Sequence, residues 1–348
     1  MAIVTGGPRM KILIRATNWV GDAIMALPAL RAVRSHFPEA QITILARSFI
    51  APLYKDQDVC NKTMLVDSTT DLLSEIRAQE FDLALLLQNA FEAAWLTWRA
   101  GIPERIGYAR DGRGLLLTKA LPVPKHGEIP SHEQFYYLEL LRRAGWLESF
   151  PLDSLISLRV PQENRRRAAD FLHSAGVHAD SLRIAIGAGA SYGSAKCWPP
   201  DRFAELANRL QAQTDVDVIL FGTPGETLVS SAIASGMRQP PIDLTGKTSI
   251  ADLPALLSQC HLFIGNDSGA MHVAAAVGLP VVAVFGPTDP FGTAPVTPRC
   301  TIVQEKPYCS PCFLRRCPTD HRCMTRVSPA AVEAAARQWI STVEVRPA

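Results

Sequence analysis

The chain has no apolar run long enough to cross a membrane. Its most apolar stretch, Leu83–Leu87, has strand length only, and Phe91–Trp98 after it is interrupted by Glu92. It has no excess of one charge sign: Lys plus Arg is 35 and Asp plus Glu is 33, a net of +2. That excludes an all-basic nucleic-acid binder and an acidic disordered chain. Gly (22) and Pro (26) are not in excess, which excludes collagen-like and low-complexity chains. Residues 1–10 lack a charged segment followed by a long apolar one, so no secretion signal is read and the fold is expected to begin at Lys11. The expectation is a soluble cytoplasmic protein with reduced thiols. At 348 residues the chain is too long for a disulfide mini-scaffold. Both GxGxxG and the P-loop signature GxxxxGK[ST] are missing, which counts against a dinucleotide oxidoreductase and an NTPase.

What is present is strand then helix, repeated. Lys11–Arg15, Gln41–Ala46 and Asp82–Leu87 read as strands; Ala23–Phe37, Phe91–Ala100 and Glu133–Ala144 read as helices. A second series follows the proline-bounded stretch Pro151–Pro161. Its strands are Leu182–Ile186, Val216–Phe221, Ile242–Leu244, Leu262–Gly265 and Val281–Phe285. Its helices are Arg165–Ser174, Asp201–Gln213, Leu228–Ser235, Ile250–Cys260, Ala270–Val277 and Pro329–Val343. Continuous apolar strands alternating with helices predict α/β architecture with doubly wound parallel sheets. We expect two Rossmann-like domains facing across a cleft, residues 10–158 and 159–348. The last helix, about 328–343, is a candidate to pack back on the first domain.

In such sheets ligands bind outside the carboxyl ends of the strands. Three strand ends carry chemistry. The first holds Asn18-Trp19-Val20-Gly21-Asp22. Asp22 is a candidate general base; the alternative is a carboxylate serving the helix N-terminus. The second is Gly187-Ala-Gly-Ala-Ser191-Tyr192-Gly193-Ser-Ala-Lys196-Cys-Trp198-Pro199. Its small residues let backbone N–H groups approach an anion and Lys196 supplies a counter-charge; the alternative is a plain connector. The third is Gly265-Asn266-Asp267-Ser268-Gly269-Ala270-Met271-His272, a helix start open to a phosphate or an ordinary Asp/Ser cap with His272 packed on the sheet. Two phosphate-cradling loops in the second series suggest that it holds a nucleotide-diphosphate donor.

These motifs, with Lys11–Arg15, Leu27-Pro-Ala-Leu30, Arg105-Ile-Gly-Tyr108 and Val284-Phe-Gly-Pro-Thr-Asp-Pro290, resemble the bacterial lipopolysaccharide heptosyltransferases of glycosyltransferase family 9. The resemblance runs from Lys11 to about Val343, and the 18–22 and 191–199 stretches favour the heptosyltransferase II branch. It implies a GT-B fold. It implies metal-independent, inverting transfer of L-glycero-D-manno-heptose from ADP-heptose to the first heptose of the inner core, on heptosyl-Kdo2-lipid A. No cofactor is implied. Asp22 would be the base and Lys196 would stabilise the leaving diphosphate. Ser191, Glu226, Asp267, Ser268, Gly269 and His272 would contact the donor, with Thr245–Thr248 a weaker part of the same pocket. Other members of the family, I- or III-like, are the nearest alternative, followed by a nucleotide-dependent oxidoreductase or epimerase.

The acceptor expected from the resemblance is acidic. Between Arg99 and Lys125 six basic residues face two acidic ones, a local +4. Arg105, Arg110 and Arg113 are therefore acceptor candidates together with Asn18, and peripheral contact with the inner membrane is expected. The alternative is a solvated loop. His132 precedes a helix and reads as a cap neighbour. Finally, Cys309, Cys312, Cys317 and Cys323 form a cluster that opens as CxxC but closes as Cys-x5-Cys. It is a weak zinc candidate, a non-catalytic metal-binding module being its functional form, and is placed outside the active site.

Overall fold

The structure is a computed structural model that describes residues 9–67, 71–151, 155–178, 180–213 and 215–342. The chain divides into two compact units, one ending at Ser154 and one starting at Leu155. The first contains β1 (Lys11–Arg15), α1 (Val20–Met25), α2 (Leu27–His36), β2 (Gln41–Ala46), β3 (Lys62–Leu65), α3 (Leu72–Gln79), β4 (Leu83–Leu86), α4 (Phe91–Arg99), β5 (Glu104–Tyr108), β6 (Lys119–Leu121) and α5 (Glu133–Ala144). The second contains α6 (Gln162–Ser174), β7 (Leu182–Gly187), α7 (Pro200–Gln211), β8 (Val216–Phe221), α8 (Thr227–Gly236), β9 (Ile242–Asp243), α9 (Leu253–Leu257), β10 (Leu262–Asn266), α10 (Gly269–Ala276), β11 (Val281–Phe285), α11 (Pro290–Thr293), β12 (Cys300–Gln304), α12 (Arg322–Thr325) and α13 (Pro329–Ile340).

Each unit holds a six-stranded sheet, in the orders β3-β2-β1-β4-β5-β6 and β12-β11-β10-β7-β8-β9. Every pairing is parallel. In both, the chain reverses direction across the sheet between its first and fourth strands. The crevices therefore open at the carboxyl ends of β1 and β4, and of β7 and β10.

The central strands are apolar on both faces because helices cover both sides. Ile12, Leu13 and Ile14 of β1 are fully buried, as are all five residues of β11. In α7, Phe203, Leu206, Ala207 and Leu210 recur at helical spacing and enter one core cluster with Trp198, Ile184 and Val282. The last helix belongs to that same core: Val332, Ala335 and Ala336 of α13 pack with α7 and strands β10–β12. Its buried apolar residues Val332, Ala335 and Ala336 thus lie in the core of the second unit. Leu158 N donates to Ala276 O at 2.7 Å, tying the segment before α6 to the second unit as well.

The single helix expected over Ala23–Phe37 is two. α1 ends at Met25 and α2 restarts at Leu27 with Pro28 in its first turn, the part of a helix that tolerates a residue without an N–H. Strands β3, β5, β6 and β12 go beyond the strands expected from sequence. β3, β6 and β12 are edge strands, and the exposed polar residues that open β3, β5 and β6 break the continuous apolar run that marks a central strand. The Ile250–Cys260 helix shrinks to α9, and the end of the expected last helix, at Val343, lies outside the described residues.

Candidate active site

In the second unit the connection after β7 carries Lys196 and the connection after β10 carries Asp267. The crevice between these two strands brings together residues far apart in sequence. Lys196 Nζ lies 2.5 Å from Asp267 Oδ2, and the same oxygen accepts the Thr288 hydroxyl at 2.6 Å. The pair is nearly dry, with side chains 11% and 5% exposed. The Lys196 ammonium also stands 4.8 Å from the Tyr192 ring centroid, a cation–π arrangement. The Lys196 connection is pinned by buried Asn266, whose Oδ1 accepts from Trp198 N (2.9 Å) and whose Nδ2 donates to Ala188 O (2.6 Å).

Ser268 caps α10, its hydroxyl accepting from Met271 N at 3.5 Å. Gly269 opens that helix, and the unpaired N–H groups of a first helical turn favour an anion. His272 is buried in the same helix. Ser191 is exposed in the Lys196 connection. Glu226 closes a capping box, its Oε2 accepting from Thr223 N (2.6 Å) and Thr223 Oγ1 (3.0 Å). Its carboxylate also lies so close over Gly189 that any Cβ there would collide with it. Thr245 approaches Gly222 from the next strand end, so Gly189, Gly222, Glu226 and Thr245 line one region of the carboxyl edge. Lys247 is turned to its own strand, Nζ donating to Asp243 O at 2.7 Å.

The cysteine-rich loop is not remote from this site. The Tyr192 hydroxyl donates to Phe313 O (2.6 Å), Ala195 N donates to Arg315 O (3.1 Å), and His321 Nε2 lies 2.7 Å from Ala195 O. Gly193 is required here because a Cβ would strike the Arg315 carbonyl. On its other side the loop grips the segment before Thr288: Ser310 Oγ donates to Gly286 O (2.6 Å), and Cys312 N and Phe313 N to Pro287 O (3.0 and 2.8 Å). The loop therefore braces both the Lys196 connection and the segment that carries Thr288, the two partners of Asp267. Spacing between cysteines could not reveal this, because most of these contacts are made by backbone groups. All four thiols are free, and among the described residues no group of three or more His, Cys, Asp or Glu is placed to hold a metal ion. Cys323 packs its buried sulfur beside Gly286.

In the first unit Asp22 lies half-buried in the first turn of α1, just past the carboxyl end of β1. Asn18 is oriented by buried Arg15, whose Nη2 donates to Asn18 Oδ1 at 2.9 Å. Across the crevice, after β4, Asn89 Nδ2 donates to the Tyr136 hydroxyl at 2.9 Å. Arg110 also reaches that hydroxyl, and Glu133 at the head of α5 interacts with both Arg110 and Asp22. Asp22, Asn18, Asn89, Arg110, Glu133 and Tyr136 thus gather at one edge of the sheet. Of these, Asn89, Glu133 and Tyr136 escape sequence reading. Glu133 follows the cap residue His132, whose Nδ1 accepts from Gln134 N at 3.2 Å, so the bland reading of His132 hides its neighbour.

Two expected acceptor arginines are used elsewhere. Arg113 has no exposed surface. Its guanidinium donates to Tyr108 O (2.9 Å), Gln88 O and Asn89 Oδ1 (3.1 Å), and burial lowers its pKa to about 10. It stitches the ends of β4 and β5 together. Arg105 sits near the amino end of β5, opposite the edge that bears Asp22, and donates to Leu116 O (2.7 Å) and Ile102 O. The +4 run is therefore not a single acceptor-facing patch; charge density in sequence does not specify where backbone carbonyls will consume the donors.

Burial first, then the Asp22 carboxylate, push the Glu133 carboxyl up to about 7, with Arg110 opposing. The fold thus favours protonated Glu133. The stability this contributes is complete below the ordinary glutamate range and is lost as pH rises through about 7. Glu133→Gln is neutral at every pH. Its Tm should gain on the wild type as pH is raised from about 5 to about 8; parallel Tm curves would refute the shift.

The family described as glycosyltransferase family 9 (heptosyltransferase) matches residues 69–322. Lipopolysaccharide heptosyltransferase 2 of Salmonella typhimurium is 28% identical over 310 residues, covering 85% of this chain and 88% of that protein. Lipooligosaccharide heptosyltransferase 2 of Campylobacter jejuni is 28% identical over 335 residues, covering 93% and 96%. The solved structure of Escherichia coli ADP-heptose LPS heptosyltransferase II superposes with a TM-score of 0.82 at 26% identity, covering 96% of this chain and 99% of that one. With its two parallel six-stranded sheets the fold is GT-B. The matched span includes Lys196, Asp267, Thr288 and most of the bracing loop, and the chain belongs to glycosyltransferase family 9, the heptosyltransferases.

Proposed function

We propose that this chain transfers L-glycero-D-manno-heptose from ADP-heptose to the first heptose of the lipopolysaccharide inner core, with inversion. The observation that carries the reading is the Lys196–Asp267–Thr288 cluster at the crevice of the second sheet, beside the N-terminus of α10. A dry ammonium next to open helix N–H groups suits a diphosphate that gains charge as it leaves. Asp22 is the base. It takes the proton of the acceptor hydroxyl as that oxygen bonds to the anomeric carbon, and the carbon–phosphate-oxygen bond breaks on the opposite face. A single displacement of this kind inverts the centre. Lys196 and the first N–H groups of α10 stabilise the departing ADP, Asp267 sets the position of Lys196, and Ser191, Glu226 and His272 belong to the donor side. Asn18 and Arg110 hold the acceptor. Arg113 supports the loops around it.

Incubation of the protein with heptosyl-Kdo2-lipid A should give a product one heptose heavier with ADP-heptose, and none with UDP- or GDP-sugars. Transfer to Kdo2-lipid A instead would assign the I-like specificity. NAD(P)H-dependent turnover without transfer would overturn the reading. The acceptor is a lipid, so in this reading the protein works as a peripheral protein at the cytoplasmic face of the inner membrane. No described helix is long and apolar enough to cross a membrane.

A further inference from the structure

Helix α4 presents its side chains in an unusual order. Its buried positions are small, Ala93, Ala94 and Thr97. Its large aromatics face solvent: Phe91 is 48% exposed, Trp95 40% and Trp98 48%. They recur at i, i+4 and i+7, so they share one side of the helix. Leu115, 97% exposed, stands on the turn Arg113–Leu116 that packs against α4. A helix of a water-soluble core normally buries its aromatics, which carry the largest apolar area per side chain. Here about half of each of these three rings stays in water.

The same surface is cationic at its C-terminal end. The Arg99 guanidinium lies 5.2 Å from the Trp95 ring centroid, and Arg77 Nε and Nη2 donate to Arg99 O at 3.2 and 2.7 Å. Among the described residues neither arginine forms an ion pair with a carboxylate within 4 Å. The one acidic group on the helix, Glu92, lies at its other end, where it interacts with Arg15. Tryptophans with an apolar body and a polar edge, next to guanidiniums, match the headgroup region of an anionic bilayer. The position fits as well. α4 starts just after Asn89, a member of the cluster around Asp22.

We propose that the aromatic side of α4, with Leu115 and Arg99, is the surface by which this protein docks on an anionic lipid bilayer. The proposal rests on the lipid-linked acceptor for its purpose. Its test needs no transfer activity. Wild-type protein is expected to co-sediment with vesicles of phosphatidylethanolamine and phosphatidylglycerol and far less with pure phosphatidylcholine, with binding weakened by salt. The Trp95→Ser, Trp98→Ser double variant should bind the anionic vesicles about tenfold more weakly while staying folded at the assay temperature, which its Tm and its ADP response check. It should also lose the vesicle-induced blue shift of tryptophan emission. Wild-type protein that ignores anionic vesicles, or a variant that binds them equally, would overturn the proposal. So would a solution dimer that the double variant dissociates, which would mean that a second copy covers the surface. Absence of heptose transfer with intact vesicle binding would sink the proposed function and leave the docking surface standing.

Discussion

Asp22→Asn is expected to lower kcat for heptose transfer by about 10²–10⁴-fold, the usual worth of a positioned general base. The substitution keeps the shape of the side chain and removes its proton affinity. Asp22 sits in the first turn of α1, and its backbone carbonyl accepts from Ala26 N at 2.9 Å, a bond that the side chain does not make. The helix should therefore survive the change. ADP binding, measured by calorimetry, should hold within about twofold of the wild type, because Lys196, Asp267 and the start of α10 all belong to the second unit. Near-normal turnover by the variant would end the base assignment. Loss of ADP binding along with turnover would point to a folding defect instead, which a Tm measurement would show.

Asp267→Ala is expected to destabilise the second unit by about 3–5 kcal/mol, because it strands a buried ammonium and frees the Thr288 hydroxyl from its acceptor. For a unit of this size that corresponds to a Tm fall of roughly 6–20 °C. The variant also tests what Lys196 does. If the ammonium is a diphosphate ligand, removing its competing carboxylate should make ADP raise the Tm of Asp267→Ala more than that of the wild type. Lys196→Met should show the opposite pattern: little response to ADP, a raised donor KM and a lowered kcat. An unchanged ADP response in both variants would reduce the pair to a structural ion pair that ties the connections after β7 and β10.

The cysteine-rich loop is visible in sequence, but its bracing role is not. The sulfur spacing invites a metal reading, but the loop acts mainly through carbonyls and amides that grip Ala195, Tyr192, Gly286 and Pro287. Burial, and then the nearby Cys312, Cys317 and Cys309, raise the Cys323 thiol to about 11.

Local pattern alone was enough to identify the central strands and the strand-to-helix transitions that hold Asp22, Lys196 and Asp267; the family came from the resemblance of the motifs there. Continuous apolar runs and small residues at strand ends depend only on near neighbours in the chain, so one-dimensional reading captures them. Edge strands such as β3 and β12 escaped because half-exposed strands need no continuous apolar run. The tertiary structure decided which charges are available. Arg113 lies in the basic run yet is fully buried, Arg105 is carried to the far edge by the direction of its strand, and Lys196 finds Asp267 71 residues away. Parallel sheets bring distant connections to one edge, and only there is it settled which donors are spent on carbonyls and which face a ligand. The physical reason is that pairing energy is a property of position in space, whereas composition and spacing report only position along the chain.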